Sequence, residues 1–323
     1  AWRGRLTIIS GGPGTGKTTT VVRLLALLQS MALRQDPDRP LQIRLAAPTG
    51  KAAARLKESI SGAIGKLPAF VLENEKLRER IPNEVTTLHR LLGTRPNSRL
   101  FRHDARNPLP VDVLVIDEAS MVDLEMMAAM LSALPPSARL VLLGDKDQLA
   151  SVEAGSVLGE LCRRAHEGHF RPETADWIRA VTGESVDASL QDSEGTPLDQ
   201  HVVMLRDSHR FDASSGIGQL ASAVNAGNAG RIRQVWQDGY ADLFRHDLPR
   251  LDNRRLEEIV LNPRQAGLAD EEAPQGYAGY LELIAQTRPA LDSDRSAFDE
   301  WADKVLKAHG RFQMLCALRN GPF

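Results

Sequence analysis

A glycine-rich segment near the start of the chain constrains its fold more than any other feature. Gly11–Thr18 reads Gly-Gly-Pro-Gly-Thr-Gly-Lys-Thr, follows the apolar run Leu6–Ile9 and opens a helical pattern over Lys17–Leu33. This is the Walker A pattern between a strand and a helix, the context that it requires. Glycines let successive backbone N–H groups face one anion, and the helix adds the positive end of its dipole. The sequence therefore predicts an α/β domain that binds a nucleotide phosphate.

Two side chains of this segment have specific predicted roles. Lys17 is expected to reach the β- and γ-phosphates, and Thr18 to bind Mg²⁺. The residues predicted to contact the nucleotide are Gly12, Gly14, Thr15, Gly16, Lys17, Thr18 and Thr19. The pattern leaves open what the hydrolysis of the nucleotide drives.

Length and composition narrow the class of protein. With 323 residues the chain is long enough for two domains, although one remains possible. No apolar run reaches the length of a membrane span and nothing resembles a signal peptide, so we expect a cytoplasmic protein that makes no membrane contact. Cys162 and Cys316 suggest neither a disulfide framework nor a zinc site and are expected to be buried. The chain begins almost directly on a strand, and we expect it to be a fragment.

The charges are unevenly distributed along the chain. The formal net charge is −2, but Arg39–Arg106 carries fourteen Lys and Arg against six Asp and Glu, a net of +8. The remaining residues therefore carry −10. This asymmetry indicates one anion-facing surface on an otherwise acidic protein, although solvated, charged helix faces would give the same count.

Short apolar runs alternate with helical patterns, which is typical of an α/β domain with a parallel sheet. The predicted strands are Leu6–Ile9, Ile43–Ala47, Val113–Ile116 and Leu140–Leu143. The helices predicted between the second and third strands are Arg55–Leu67, Leu72–Arg80 and Leu88–Leu92. They make that crossover unusually long, so an insertion coincides with the basic region.

Two polar, turn-rich stretches, Asp187–Gln200 and Asn262–Gly276, are predicted to be exposed loops. The first precedes a possible domain boundary near Leu205. We predict a phosphate-binding α/β domain over residues 1–205 and a second, mostly helical domain over residues 206–323. A long insertion within one domain would leave the same pattern.

Two carboxylates follow the third predicted strand. Asp117 and Glu118 come directly after Val113–Ile116, at the carboxyl edge of the sheet where open α/β folds bind ligands. Asp117 is predicted to hold Mg²⁺ through its water shell, and Glu118 to orient and deprotonate the attacking water. The alternative is a polar turn in which Ser120 and Asp123 cap the next helix. Both interpretations can hold together.

A glutamine follows the fourth predicted strand. Gln148 lies in the polar turn after Leu140–Leu143 and therefore reaches the same edge of the sheet. A neutral amide there is suited to contact the γ-phosphate, and this contact would exist only while the γ-phosphate is present. A glutamine in a polar turn is otherwise usually only solvated.

Another segment suggests contact with a nucleic-acid backbone. After the second predicted strand, Thr49 and Lys51 stand at a helix start, with Arg55 one turn further on. A hydroxyl, two cations and free backbone N–H groups at such a position suit a backbone phosphate. Thr87 and His89 stand at another helix start in the same basic region, although a lone histidine is more often structural than functional.

These segments together resemble the RecD helicase family. The segments that carry the resemblance are Gly11–Thr20, Ala47–Leu56, Thr87–Gly93, Val115–Asp123, Gly144–Leu158, Ser208–Phe211, Ser215–Ala221 and Gln313–Phe323. The match is most specific over the first half of the chain. It implies a motor with two RecA-like domains that binds ATP and Mg²⁺ between them, moves 5′ to 3′ along single-stranded DNA and separates duplexes from their ends.

The resemblance also implies residue roles and partners. It assigns nucleotide chemistry to Lys17, Thr18, Asp117, Glu118 and Gln148. Arg210, from the second motor domain, would contact the γ-phosphate as an arginine finger does. DNA contact is assigned to Pro48, Thr49, Lys51, Thr87 and His89. The implied partners are the beta and gamma subunits of exodeoxyribonuclease V, RecB and RecC, in double-strand-break repair.

The sequence departs from the family pattern in two places. The family's N-terminal domain and its later His-Lys-Ser-Gln-Gly segment on the DNA path are missing from it. We therefore expect the isolated chain to bind ATP without unwinding DNA. A regulatory or structural ATP-binding subunit stays open as an alternative function, and a phosphate-loop kinase has less support. A stand-alone helicase of the same family also stays open, although the final residues favour the complex-forming subunit.

Overall fold

The computed structural model describes residues 3–72, 74–95, 98, 100–148, 157–209, 214–245, 253–263 and 276–315. The chain divides into two compact units, Ala1–Ala213 and Ser214–Phe323. Among the described residues, no helix is long and apolar enough to cross a membrane.

The described part of the first unit forms a six-stranded sheet in which every pairing is parallel. Its strands are β1 (Leu6–Gly11), β2 (Ile43–Ala47), β3 (Val85–Thr87), β4 (Val113–Ile116), β5 (Arg139–Gly144) and β6 (Val202–Leu205). Their order across the sheet is β3-β2-β4-β5-β1-β6. The predicted α/β class with a parallel sheet is confirmed.

Helices cover the sheet and connect its strands. In the first unit they are α1 (Lys17–Gln35), α2 (Gly50–Ile64), α3 (Ala69–Leu72), α4 (Glu75–Glu79), α5 (Leu88–Leu92), α6 (Leu124–Ala133), α7 (Val157–Leu161) and α8 (Pro172–Thr182). In the second unit they are α9 (Gly216–Asn225), α10 (Ala229–Gln237), α11 (Asn253–Leu261), α12 (Tyr277–Thr287) and α13 (Arg295–His309).

The apolar side chains of the central strands alternate between two covered faces. Val113 and Val115 of β4 belong to the core beneath α1 and α2, whereas Leu114 and Ile116 belong to the core beneath α5 and α6. A parallel sheet buried on both faces explains why its strands read as continuous apolar runs. Each large side chain buried in this way contributes about 1.5–3 kcal/mol to folding. Cys162 is buried, as predicted, and Cys316 lies outside the described residues.

The two edge strands, β3 and β6, are absent from the sequence-based prediction. The three residues of β3 are only half-buried, so they form no apolar run. β6 lies where the sequence suggests a domain boundary, and it pairs with β1 through Ile8 and Val202. Both strands have a single neighbour among the described strands, and only Val202 of β6 is fully buried although the strand reads as an apolar run.

The helix predicted over Leu72–Arg80 is confirmed only over α4, Glu75–Glu79. It begins later than predicted because the Asn74 side chain accepts a hydrogen bond from the Leu77 N–H at 3.1 Å and caps it. Asparagine favours such N-cap positions.

The exposed loop predicted over Asp187–Gln200 is also partly wrong. Asp199 within it is buried, and its carboxylate accepts hydrogen bonds from Arg164 Nη1 at 2.8 Å and from the Thr196 N–H at 2.7 Å. A buried carboxylate is tolerated there because a cation and a backbone donor compensate it. The second predicted loop, Asn262–Gly276, lies mostly outside the described residues.

The described part of the second unit is helical. Asp242, after α10, accepts hydrogen bonds from Ser215 Oγ and from the Gly216 N–H, both at 2.7 Å, at the start of α9. These bonds, that of Ser215 foremost, hold the pKa of Asp242 below its usual range. α12 and α13 pack through the rings of Tyr280 and His309, whose centroids are 5.1 Å apart. The assignment of this unit to a second motor domain stays a prediction.

Candidate functional site

The loop between β1 and α1 has the backbone conformation that the Walker A pattern predicts. Gly14 and Gly16 have φ angles of 78° and 85°, in the left-handed region that favours glycine. Gly16 is also the N-cap residue of α1 and forms no side-chain cap hydrogen bond. The first N–H groups of α1 therefore keep their capacity to bind an anion. Thr18 and Thr19 lie in this first turn, next to Lys17.

The side chains of the loop are directed onto its own carbonyl groups. Lys17 Nζ donates to the carbonyl oxygens of Gly11 at 2.6 Å and Gly12 at 3.0 Å, and Thr15 Oγ1 donates to that of Gly12 at 2.9 Å. Because these carbonyls are engaged, the loop offers an anion its N–H groups and one ammonium group. These donors fit the phosphates of a nucleotide.

A later segment of the first unit supports the loop from its other side. Ser208 Oγ donates to the Pro13 carbonyl at 3.0 Å, and the His209 N–H donates to the Gly14 carbonyl at 3.0 Å. The resemblance includes Ser208–Phe211 but gives Ser208 and His209 no role, and their contacts with a loop so distant in sequence leave no local pattern. Arg210, the predicted arginine finger, lies outside the described residues.

The carboxyl ends of β4, β5 and β1 lie side by side, which brings the predicted nucleotide residues to one edge. In register, Ile116 of β4 is opposite Leu142 of β5, and Ser10 of β1 is opposite Gly144 of β5. Ser10 Oγ also accepts a hydrogen bond from the Lys146 N–H at 3.2 Å, which attaches the turn after β5 to β1.

Asp117 lies at this edge, where burial disfavours the ionised form of its carboxyl group. Burial raises the pKa of this carboxyl and the neighbouring charge of Glu118 adds to the rise, while the backbone hydrogen bond from Glu118 and the charge of Lys17 oppose it. A carboxylate that is short of compensation is stabilised by a cation. The donor chemistry at Asp117 thus fits a hydrated Mg²⁺ ion.

Glu118 has an unusual backbone conformation for a glutamate. Its φ of 51° and ψ of 40° lie in the left-handed region, and it precedes a 3₁₀ turn over Ala119–Met121. Such a conformation costs a non-glycine residue on the order of 1 kcal/mol or more and occurs often at functional sites. The turn reverses the chain directly after β4, so the carboxylate is held at the edge of the sheet.

The strain at Glu118 is expected to appear in stability. Glu118→Asn should unfold at a higher temperature than Glu118→Gln, by roughly 2 °C, because asparagine tolerates the left-handed conformation and glutamine does not. The pair is compared by thermal unfolding. At Glu125, in the first turn of α6, the same two substitutions should give the opposite order, because glutamine is the better helix former. Equal melting temperatures for the Glu118 pair would show that the backbone there is unstrained.

The turn after β4 combines both roles considered for it. The Asp123 side chain caps α6 by accepting from the Met126 N–H at 2.7 Å, as predicted. The predicted cap by Ser120 is wrong, because its Oγ donates to Oε1 of Gln148 at 3.0 Å instead. Gln148 is therefore held at the same edge as Asp117 and Glu118.

The segments predicted to contact DNA also lie next to each other. β2 and β3 are neighbours with Ala47 opposite Thr87, so the starts of α2 and α5 are adjacent. Thr49 caps α2 by accepting from the Ala52 N–H at 3.2 Å, and Thr87 caps α5 by accepting from the Arg90 N–H at 3.3 Å. Each threonine hydroxyl keeps its proton for another acceptor.

The surface around these two helix starts is basic. Lys51 and Arg55 of α2 are exposed, and Pro48 is half-buried before it. Lys57 and Arg90, which were not predicted, line a cavity of about 260 Å³ between α2 and β3. His89 is exposed and its ring packs edge-on against Phe101, with centroids 6.0 Å apart. The ring therefore has a structural contact, and its predicted contact with DNA stays a prediction.

Fold and site together define a phosphate-loop NTPase domain of the RecA type. The profile of the AAA domain family matches residues 1–154. RecBCD enzyme subunit RecD of Haemophilus influenzae is 38% identical over 316 residues, 97% of this chain and 46% of that protein. The same subunit of Mycobacterium tuberculosis is 44% identical over 318 residues, 98% of this chain and 44% of that protein. ATP-dependent RecD2 DNA helicase of Deinococcus radiodurans is 39% identical over 161 residues, 50% of this chain and 18% of that protein.

Over nearly its whole length the chain is similar to RecD subunits. It spans less than half the length of these three relatives. The individual roles assigned to its site residues stay predictions.

Proposed function

We propose that this chain is the ATP-hydrolysing part of a 5′–3′ DNA helicase, the alpha subunit of a cytoplasmic exodeoxyribonuclease V that acts with RecB and RecC at broken duplex ends. The observation that carries the proposal is the arrangement of two sites on one sheet. The phosphate loop, Asp117, Glu118 and Gln148 lie at the carboxyl ends of β1, β4 and β5, and the basic helix starts follow the neighbouring β2 and β3. The names of the relatives support RecB and RecC as partners, and the polarity is what the resemblance to RecD helicases implies.

At the nucleotide site, the residues of this chain divide the work of hydrolysis. Lys17 and the N–H groups of the loop bind the phosphates, and Thr18 and Asp117 are the groups that would hold Mg²⁺. Bound Mg²⁺ supplies positive charge that offsets the charge developing on the phosphates. Glu118 accepts the proton of the attacking water, and Gln148 donates a hydrogen bond to the γ-phosphate.

At the DNA site, the starts of α2 and α5 bind backbone phosphates of a single strand. Contacts of this kind position the strand and carry no sequence information. β4 lies between β2 and β5 in the sheet, so the strand that carries Asp117 and Glu118 is next to the strand that precedes the DNA-binding helix. A kinase that phosphorylates a small molecule has no use for such a basic surface.

The proposal is tested by ATP turnover of the full-length protein with and without single-stranded DNA. We expect DNA to stimulate turnover. Absence of stimulation would remove the helicase function and leave the regulatory, ATP-binding alternative.

The DNA surface is tested by Lys51→Ala. It should raise several-fold the DNA concentration that gives half-maximal stimulation, and should reduce by about 1 the slope of log affinity against log salt concentration, because one phosphate contact is lost. The matched control is Lys66→Ala, which removes an exposed lysine beyond the other end of α2. It should change neither quantity. Equal effects of both substitutions would show that DNA binding depends on nonspecific charge and not on this surface.

A further inference from the structure

The hydroxyl group of Ser120 links the two strands that carry the hydrolytic site. Ser120 is only 1% exposed, and its Oγ donates to Oε1 of Gln148 at 3.0 Å. Ser120 lies in the 3₁₀ turn that begins directly after Glu118, whereas Gln148 lies in the turn that follows β5. The bond therefore connects the segment of the predicted general base to the segment of the predicted γ-phosphate contact.

The backbone on both sides of this hydrogen bond is held in place. A Cβ atom on Gly144 would lie 2.4 Å from Leu158 Cδ2 and 3.2 Å from the Ser120 backbone nitrogen, so the turn of Ser120 packs directly on the end of β5. On the other side, the Gln148 N–H donates to the Asp145 carbonyl at 3.3 Å. The serine hydroxyl thus meets the amide from a fixed position.

The partners of a side-chain amide determine which of its two ends is presented to a ligand. Oxygens of a fully ionised phosphate accept hydrogen bonds, so only the Nε2 end of Gln148 can bind them. The Ser120 hydroxyl engages Oε1, and no residue in the described part of the chain accepts from Nε2. The serine hydroxyl can also accept from Nε2, but an amide turned by 180° would present Oε1 to the phosphate, which is repulsive. Ser120 therefore anchors the amide, and the phosphate selects its Nε2 end.

We infer that Ser120 is a positioning residue that anchors the Gln148 amide at the carboxyl edge of the sheet, where Nε2 is available to the γ-phosphate of ATP. Through the turn of Glu118, it also ties recognition of that phosphate to the position of the general base. The inference rests on the proposed ATP hydrolysis. It adds that discrimination between nucleoside triphosphate and diphosphate depends on a buried serine that does not contact the nucleotide.

The test compares Ser120→Ala, Gln148→Ala and the double variant of the full-length protein. Affinities for ATPγS and ADP are measured by titration, together with kcat for ATP and the melting temperature. Ser120→Ala should lower kcat and the affinity for ATPγS about three- to tenfold, the effect of one hydrogen bond, and should leave the affinity for ADP unchanged because ADP lacks the γ-phosphate. The double variant should be no worse than Gln148→Ala, since both remove one interaction.

Two further variants complete the design. Gln148→Glu keeps an acceptor for Ser120 but has no N–H group for the phosphate, so it should lose the preference for ATPγS even if Ser120→Ala fails to fold. Ser61→Ala removes a serine hydroxyl that donates to the Lys57 carbonyl on the exposed face of α2, and should change nothing.

Parallel losses of ADP and ATPγS affinity in Ser120→Ala, or additive losses in the double variant, would overturn the inference. A Gln148→Glu variant that keeps its preference for ATPγS would do so as well. The ratio of the ATPγS and ADP affinities is measured without ATP turnover. A wild-type protein that hydrolyses no ATP would therefore refute the proposed function, and the affinity ratio would still test the role of Ser120.

Discussion

Glu118→Gln is expected to lower ATP turnover by a factor of about 10³ and to leave ATP binding intact. General-base assistance contributes roughly 10²–10⁴ to the rate of such a reaction, and an amide cannot accept the proton of the attacking water. Glutamine has almost the same size as glutamate, so the turn after β4 is retained. Steady-state turnover in the presence of single-stranded DNA and equilibrium binding of ATP are the two measurements.

The matched control is Glu125→Gln, which neutralises an exposed carboxylate in the first turn of α6. It should retain wild-type turnover. Turnover close to wild type in Glu118→Gln would assign the general base to another group. The regulatory alternative makes a different prediction: repair activity in cells survives Glu118→Gln, because there only ATP binding matters.

Lys17→Ala is expected to weaken nucleotide binding at least about 100-fold. Its ammonium group lies at the carbonyls of Gly11 and Gly12 and would donate charge-assisted hydrogen bonds to the phosphates, each contributing roughly 1.5–3 kcal/mol. The substitution also removes the positive charge that lowers the pKa of Asp117. Binding of ATP and ADP is measured by titration with and without Mg²⁺.

Arg23→Ala serves as the control, because it removes an exposed cation from the same helix, α1. Its nucleotide affinity should equal that of the wild-type protein. Together, Lys17→Ala and Glu118→Gln separate binding from hydrolysis. If Lys17→Ala bound ATP as well as the wild-type protein, the phosphate loop would not be the nucleotide site.

The conformation of the loop that is predicted to contact phosphate could be inferred from the sequence because its chemistry restricts both residue type and spacing. Glycines at Gly14 and Gly16 are required by left-handed φ angles, and Lys17 must follow at the helix start. The same holds for Asp117, which follows a buried strand. Parallel strands end at a common edge, so even the adjacency of these residues could be inferred without coordinates.

The supporting residues could not be predicted in this way. Ser120 was assigned to a helix cap, and its bond to Gln148 depends on how closely two turns approach in space. Ser208 is far from Pro13 in sequence, so no local pattern indicates their contact. The start of α4 depends on the Asn74 cap, which an apolar pattern alone does not locate.

The strand order has a consequence for the synthesis of this protein. Within the described sheet β1 comes first along the chain, yet its neighbours are β5 and β6, with Leu6 opposite Leu140 and Ile8 opposite Val202. Pairings between residues so distant in sequence form slowly and only after the later strand has left the ribosome. β1 and the phosphate loop that follows it therefore lack their neighbouring strands through most of the translation of the first unit. The predicted nucleotide site is therefore complete only when the sheet of the first unit is complete.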